Sequence, residues 1–143
     1  MDNVNVINIL LIEDDTVDVM DARRTLSRMD IFYKMQVAKN GEEALHYLRD
    51  VSQSRTEKPD IILLDLNMPK MNGVEFLTQI RKMDEWKDTK VFIITTSEEK
   101  EDKELTERLG VSGYIVKPLK FNNPSSIDSF NLMIDLLNIK NKN

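Results

Sequence analysis

Asp65 stands at the end of the apolar run Ile61-Ile62-Leu63-Leu64 and runs on into Leu66-Asn67-Met68-Pro69-Lys70-Met71-Asn72-Gly73. Three more acids, Glu13, Asp14 and Asp15, directly follow another apolar stretch, Val6 to Ile12. Thr95 closes a third such stretch and Lys117 a fourth. Brought together, these side chains suit one chemistry. Converging carboxylates repel one another by several kcal/mol unless a cation sits among them. A hard divalent ion with oxygen ligands, Mg²⁺ or Mn²⁺, resolves that repulsion. A hydroxyl and an ammonium beside the same acids can then receive a phosphoryl group, with Asp65 as the in-line nucleophile. Each residue alone has a plainer explanation. Asp65 can cap the following helix, Thr95 can cap another, Lys117 can snorkel, and Glu13 can be solvated.

The elements must bring those residues to one place. A continuous apolar run between Pro59 and Pro69 fits a strand buried on both faces of a parallel sheet. Val6–Ile12, Met35–Ala38, Val91–Ile94 and Tyr114–Val116 read as four further strands. Between them come helical patterns. The first starts at Asp15 or Thr16 with Val17, Met20, Leu26 and Met29 on its apolar side. The second starts at Asn40, with Glu43 reaching back to it and Ala44, Leu45 and Leu48 inside. The third starts near Asn72-Gly73 and buries Val74, Leu77, Ile80 and Met83, with Trp86 packing back on the domain edge. The fourth is capped by Ser97, carries Leu105 and Leu109, and ends at Gly110. The last runs from about Ser126, with Ile127, Phe130, Ile134 and Leu137 on one face. Val51 to Asp60 reads as a polar surface loop. Strict β-α alternation predicts an α/β fold, a doubly wound five-stranded parallel sheet with helices on both faces. In such a sheet every strand ends on the same edge, so Glu13, Asp14, Asp15, Asp65, Thr95 and Lys117 converge.

Composition narrows the classes. The 143 residues suffice for one domain, with a core over about 6–139 and a frayed tail at 140–143. With no cysteine there is no disulfide or thiolate site, and the net charge of −5 without a basic stripe excludes nucleic acid as the main partner. No apolar run approaches the ~18 residues of a membrane span, and Met1 to Asn8 lacks a signal-peptide pattern, so a cytoplasmic protein is expected. The single histidine, His46, sits on the second helix as a surface residue, which leaves no phosphohistidine relay within the chain.

Four motifs carry a family likeness: Ile-Glu-Asp-Asp at 12–15, Leu-Leu-Asp-Leu-Asn-Met-Pro at 63–69 with Gly73, Ile-Thr-Thr-Ser at 94–97, and Tyr-Ile-Val-Lys-Pro at 114–118. On these the chain resembles, over essentially its whole length, a response-regulator receiver domain of bacterial two-component signalling. That family includes the chemotaxis regulator CheY. The resemblance implies the flavodoxin-like strand order 2-1-3-4-5. It implies a phosphoacceptor at Asp65 and a metal held by Glu13, Asp14, Asp65 and the Asn67 backbone carbonyl. Thr95 and Lys117 would take the phosphate, and Tyr114 matches the aromatic switch position. Asn67, Thr96 and Ser97 stand where the family tunes hydrolysis. It also implies a cis bond between Lys117 and Pro118. The implied partners are a sensor histidine kinase or histidine phosphotransfer protein and a downstream protein, with a homodimer left open.

The stretch from Asp65 through Ser97 is similar to small stand-alone regulators, including those paired with bacteriophytochromes. On that likeness the chain is a switchable protein-binding module with no output domain, and no enzyme beyond its own phosphorylation and dephosphorylation. Two features depart from the family. Leu119 replaces the common aromatic after Lys-Pro, and the link from Leu119 to Ser126 is longer than usual. The longer link bears on the face built from the fourth and fifth helices and the fifth strand. Three other readings fit less well. A pseudo-receiver acting as a constitutive scaffold usually lacks part of the acid, Thr and Lys set, all of which this chain keeps. A haloacid-dehalogenase-type phosphatase needs an acid at position 67, where this chain has Asn67. A flavin or GTP binder needs a Gly-rich loop where Glu13 to Asp15 stand.

Overall fold

The computed structural model describes residues 6–29, 31–54, 57–96 and 98–117, together with Asn131 and Asp135. In chain order the elements are β1 (Val6–Ile12), α1 (Thr16–Ser27), β2 (Phe32–Ala38), α2 (Gly41–Ser54), β3 (Ile61–Leu64), α3 (Gly73–Ile80), β4 (Lys90–Thr95), α4 (Lys100–Arg108) and β5 (Gly113–Val116). All strand pairs are parallel and the sheet order is β2-β1-β3-β4-β5, as expected. After β1 the chain crosses to β2 on one side, then returns to β3 on the other. The reversal opens a crevice beyond the carboxyl ends of β1 and β3, where open α/β sheets bind their ligands.

Alternate residues of the central strands feed two cores. Leu10, Ile12, Ile62, Leu64, Val91 and Ile93 pack with α2 and α3, while Ile9, Leu11, Ile61, Leu63, Phe92 and Ile94 pack with α1. Every residue of β3 is buried, which is why its sequence carries no polar alternation. Trp86 is buried against the first of these cores, and Gly110 takes the left-handed conformation (φ 78°) after α4.

Several helical expectations shift. In α1, Val17 and Met20 are exposed, and the helix buries Ala22, Thr25 and Leu26 instead. Val17 and Leu26 are nine residues, about 2.5 turns, apart and so lie on opposite sides of the cylinder. The capping box expected at Asn40 is found at Asn72, with Glu75 reaching back. At Asn40 the side chain accepts from the Glu43 backbone N–H (2.9 Å). α2 continues through Val51 to Ser54, with Val51 buried one turn beyond Leu48, so the polar loop starts later than expected. β2 likewise begins at Phe32, three residues earlier. In α3 the innermost side chain is Phe76, and Met83 lies beyond the helix end, half-buried. α4 starts at Lys100 with Glu99 as its cap residue; Ser97, the expected cap, lies outside the described residues. Its Leu105 is exposed and Thr106 is buried, with Thr106 Oγ1 donating to the Asp102 carbonyl (2.8 Å). The last helix, apart from Asn131 and Asp135, and the Lys117–Pro118 bond fall outside the described residues; those two residues are helical and exposed.

Arg81, at the end of α3, ties the far edge of the sheet together. Its guanidinium donates to the carbonyls of Leu109 (2.7 Å), Thr89 (2.9 Å), Lys87 (3.0 Å) and Gly110 (3.2 Å). Two of these carbonyls end α4, where a cation also meets the negative end of the helix dipole. Arg81→Met should cost about 2–3 kcal/mol by leaving these acceptors unpaired. Arg81→Lys should restore little of it, because one ammonium lacks the planar fork that spans four acceptors. Urea denaturation of both variants checks this.

Candidate functional site

Backbone hydrogen bonds continue the sheet one residue beyond its strands and so fix the site. Glu13 N–H donates to the Ala38 carbonyl (2.9 Å), Asp65 N–H to Ile12 (3.1 Å) and Lys117 N–H to Thr95 (2.8 Å). Glu13, Asp65 and Lys117 thus leave the sheet at one edge from three strands, and Thr95 is the last residue of a fourth. Glu13, Asp65 and Thr95 are all buried.

Asp15 is the one acid of its run explained by capping. Its Oδ1 accepts from the backbone N–H groups of Val17 (2.8 Å) and Asp18 (3.3 Å) at the start of α1. The other two acids face Asp65. One carboxylate oxygen from each of Glu13, Asp14 and Asp65 lies within 4.8 Å of the other two. A hard cation with ~2.1 Å bonds spans up to ~4.2 Å between opposite ligands, so small movements let it take all three. The donor set is oxygen throughout, with no histidine or thiol to favour a softer metal.

Lys117 is drawn into this cluster. Its ammonium donates to Glu13 Oε1 (2.5 Å) and Asp18 Oδ2 (2.7 Å), and lies 3.6 Å from Asp65 Oδ2. Its side chain is only 7% exposed. Burial pushes the Glu13 carboxyl up from 4.5 to about 7, and the neighbouring Asp65 charge adds to this, against the pull of the Lys117 hydrogen bond. Burial works to lower the Lys117 pKa. Hydrogen bonds to Asp18 and Glu13, with the charges of Asp65 and Glu13, outweigh it, and the ammonium is held well above its ordinary range.

Asn67 bridges acceptor and hydroxyl. Its backbone N–H donates to Asp65 Oδ1 (3.2 Å), and its side-chain Nδ2 donates to Thr95 Oγ1 (3.3 Å) and, at the limit of a hydrogen bond, to Thr96 Oγ1 (3.5 Å). Tyr114 lies apart from the acids, half-buried against the core, with Lys103 Nζ 5.6 Å from its ring centre. Ser97 falls outside the described residues. One contributor escaped sequence reasoning: Asp18 reads as one more first-turn acid. Gly73, part of the Asp65 motif, packs its α-carbon against the Asp65 backbone.

The family model for the response regulator receiver domain matches residues 9–125. The probable methanogenesis regulatory protein FilR2 of Methanothrix harundinacea is 33% identical over 113 residues, covering 79% of this chain and 73% of FilR2. Response regulator Rcp1 of Synechocystis sp. is 31% identical over 110 residues, 76% of this chain and 75% of Rcp1. The solved Mn²⁺-bound form of Rcp1 superposes with a TM-score of 0.73 at 28% identity, covering 90% of this chain and 91% of that one. The phosphorylated cyanobacterial phytochrome response regulator RcpA superposes with a TM-score of 0.75 at 29% identity, covering 92% of each chain.

Proposed function

As this chain belongs to the response regulator receiver family of two-component signalling, we propose that it takes a phosphoryl group onto Asp65 from a sensor histidine kinase or a histidine phosphotransfer protein. The observation that carries this is the buried Asp65 carboxylate at the sheet edge, clustered with Glu13 and Asp14 and with Lys117, itself bonded to Glu13, 3.6 Å away. An Asp65 oxygen attacks the phosphorus, and the bond to the donor nitrogen breaks with its electrons leaving on the donor imidazole. Lys117 and Thr95 receive two of the phosphoryl oxygens. Glu13, Asp14, Asp65 and the Asn67 carbonyl would hold Mg²⁺ or Mn²⁺, which would supply neutralisation of the phosphoryl charge. Asn67, Thr96 and Ser97 set the access of water to the phosphoryl group. Movement of Thr95 toward it gives Tyr114 room to turn inward, which reshapes the surface around α4 for a downstream protein or a second copy. The receiver unit spans residues 1–143 with its core over about 6–139, and it works in the cytoplasm. Among the described residues no helix is long and apolar enough to cross a membrane.

Acetyl phosphate with Mg²⁺ tests the proposal directly. Intact mass should show a gain of one phosphoryl group that disappears when Mg²⁺ is chelated. No gain under conditions where Mg²⁺ binding is measured by calorimetry would turn the site into a scaffold.

The raised Glu13 carboxyl gives this site a pH signature. A carboxyl with a higher pKa folded than unfolded holds more protons in the folded state. The metal-free protein is therefore favoured while Glu13 is protonated, and loses that advantage as pH rises from 4.5 to about 7. A cation needs the ionised form. Mg²⁺ should therefore raise the melting temperature more at pH 8 than at pH 6, as thermal scans at matched ionic strength would show.

A further inference from the structure

Lys117 is not poised on Asp65. An ammonium has three hydrogens, and two are committed: one to Glu13 Oε1 at 2.5 Å and one to Asp18 Oδ2 at 2.7 Å. At 3.6 Å, Asp65 Oδ2 is beyond hydrogen-bond distance. The two anchors differ in what they do next. Glu13 belongs to the acid cluster that can hold a cation, so a bound metal would compete with the lysine for its carboxylate. Asp18 is not in that cluster. It stands in the first turn of α1, where its backbone N–H is bonded to the Asp15 cap (3.3 Å), and the helix behind it is seated on the core by Ala22 and Leu26. Its carboxylate cannot follow the lysine.

On the reading of Asp65 as phosphoacceptor, we propose that Asp18 is a positioning residue that tethers Lys117 away from Asp65 in the resting state. A phosphoryl group on Asp65 competes with Asp18 for the charge and reach of the ammonium. The Asp18–Lys117 pair exists only in the unphosphorylated form, so it shifts the equilibrium toward rest by the worth of that contact. Asp18 touches neither donor nor phosphoryl group, and acts only through Lys117.

Asp18→Asn keeps the shape of the side chain and removes its charge. With saturating Mg²⁺, its affinity for beryllofluoride, read from the amide shifts of Asn67 and Thr95, should rise about tenfold, the scale of one charge-assisted hydrogen bond no longer competed for. Asp18→Glu restores the charge and should return the affinity toward that of the unmodified protein. A second readout needs neither metal nor phosphate mimic. In the metal-free protein the Lys117 ammonium protons should exchange with water slowly, and faster in Asp18→Asn. A merely structural Asp18 would lower the melting temperature of Asp18→Asn while leaving beryllofluoride affinity equal or weaker, and that result would overturn the tether. Unchanged ammonium exchange would do the same. If neither protein takes up beryllofluoride, the phosphoacceptor reading itself falls and the tether falls with it.

Discussion

Asp65→Asn is expected to abolish the Mg²⁺-dependent gain of a phosphoryl group completely and, in chelator, to melt at a higher temperature than the unmodified protein. The first half follows from the nucleophile, because an amide oxygen cannot displace the donor. The second follows from the cluster around it. Glu13, Asp18 and Asp65 lie around a single lysine, and Asp65 is the one of these three whose oxygen lies beyond hydrogen-bond distance from Lys117. Neutralising it removes a buried charge and relieves Glu13, whose carboxyl it helps to push up. The bond from the Asn67 N–H to position 65 can persist, because asparagine keeps an acceptor oxygen there. The gain should be about 1 kcal/mol, or about 3 °C for a chain of this size. Because one ligand is also lost, the stabilisation given by added Mg²⁺ should shrink in the same variant. A variant that neither accepts phosphate nor gains stability would mean that Asp65 is paired more tightly than its 3.6 Å separation from Lys117 implies.

What could be read from the chain and what could not divide along a physical line. Ile61 to Leu64 announces a strand buried on both faces because nothing polar interrupts it, and the observed strand has those bounds. Glu13, Asp65, Thr95 and Lys117 could be brought together without coordinates because a parallel sheet sends every strand end to one edge. Rotation about a helix axis is not fixed in that way. Helical spacing alone puts Val17 and Met20 inward, yet α1 turns Ala22, Thr25 and Leu26 to the core. The same rotation brings Asp18 to Lys117, 99 residues away in sequence. A heavily charged helix such as α4 carries too little apolar contrast to fix its inner face, and Thr106 fills the place expected of Leu105. Arg81 shows no sequence signal at all, since its partners are backbone carbonyls that any residue could supply.

Gly73→Ala should be the most damaging single methyl group in the described part of the molecule. A β-carbon built at Gly73 would lie 2.4 Å from the Asp65 carbonyl oxygen and 2.8 Å from the Leu66 α-carbon. Both are backbone atoms, so no rotamer change relieves the clash. The turn between β3 and α3 is also pinned from both ends. Gly73 N–H donates to the Leu66 carbonyl (3.2 Å), and the Asn72 and Glu75 capping box starts the helix at once. Alanine gains up to ~1 kcal/mol over glycine in helix propensity, and overpacking against fixed backbone outweighs it, for a net loss of about 2–4 kcal/mol. That corresponds to about 6–12 °C in melting temperature. Relief must come from moving the peptide that carries the acceptor, so Asp65 shifts relative to Glu13 and Lys117 and phosphorylation slows even in the folded fraction. Gly41→Ala separates this from a general effect of filling a glycine. There the nearest atoms all belong to the Met71 side chain, Cγ at 2.7 Å with Sδ and Cβ at 2.9 Å; Cγ and Sδ can turn aside, and only the Cβ contact needs a small shift of the Met71 backbone. Denaturation and initial phosphorylation rates should place Gly41→Ala clearly closer to the unmodified protein than Gly73→Ala. Equal effects from the two would show that the β3–α3 turn yields more readily than its backbone contacts suggest.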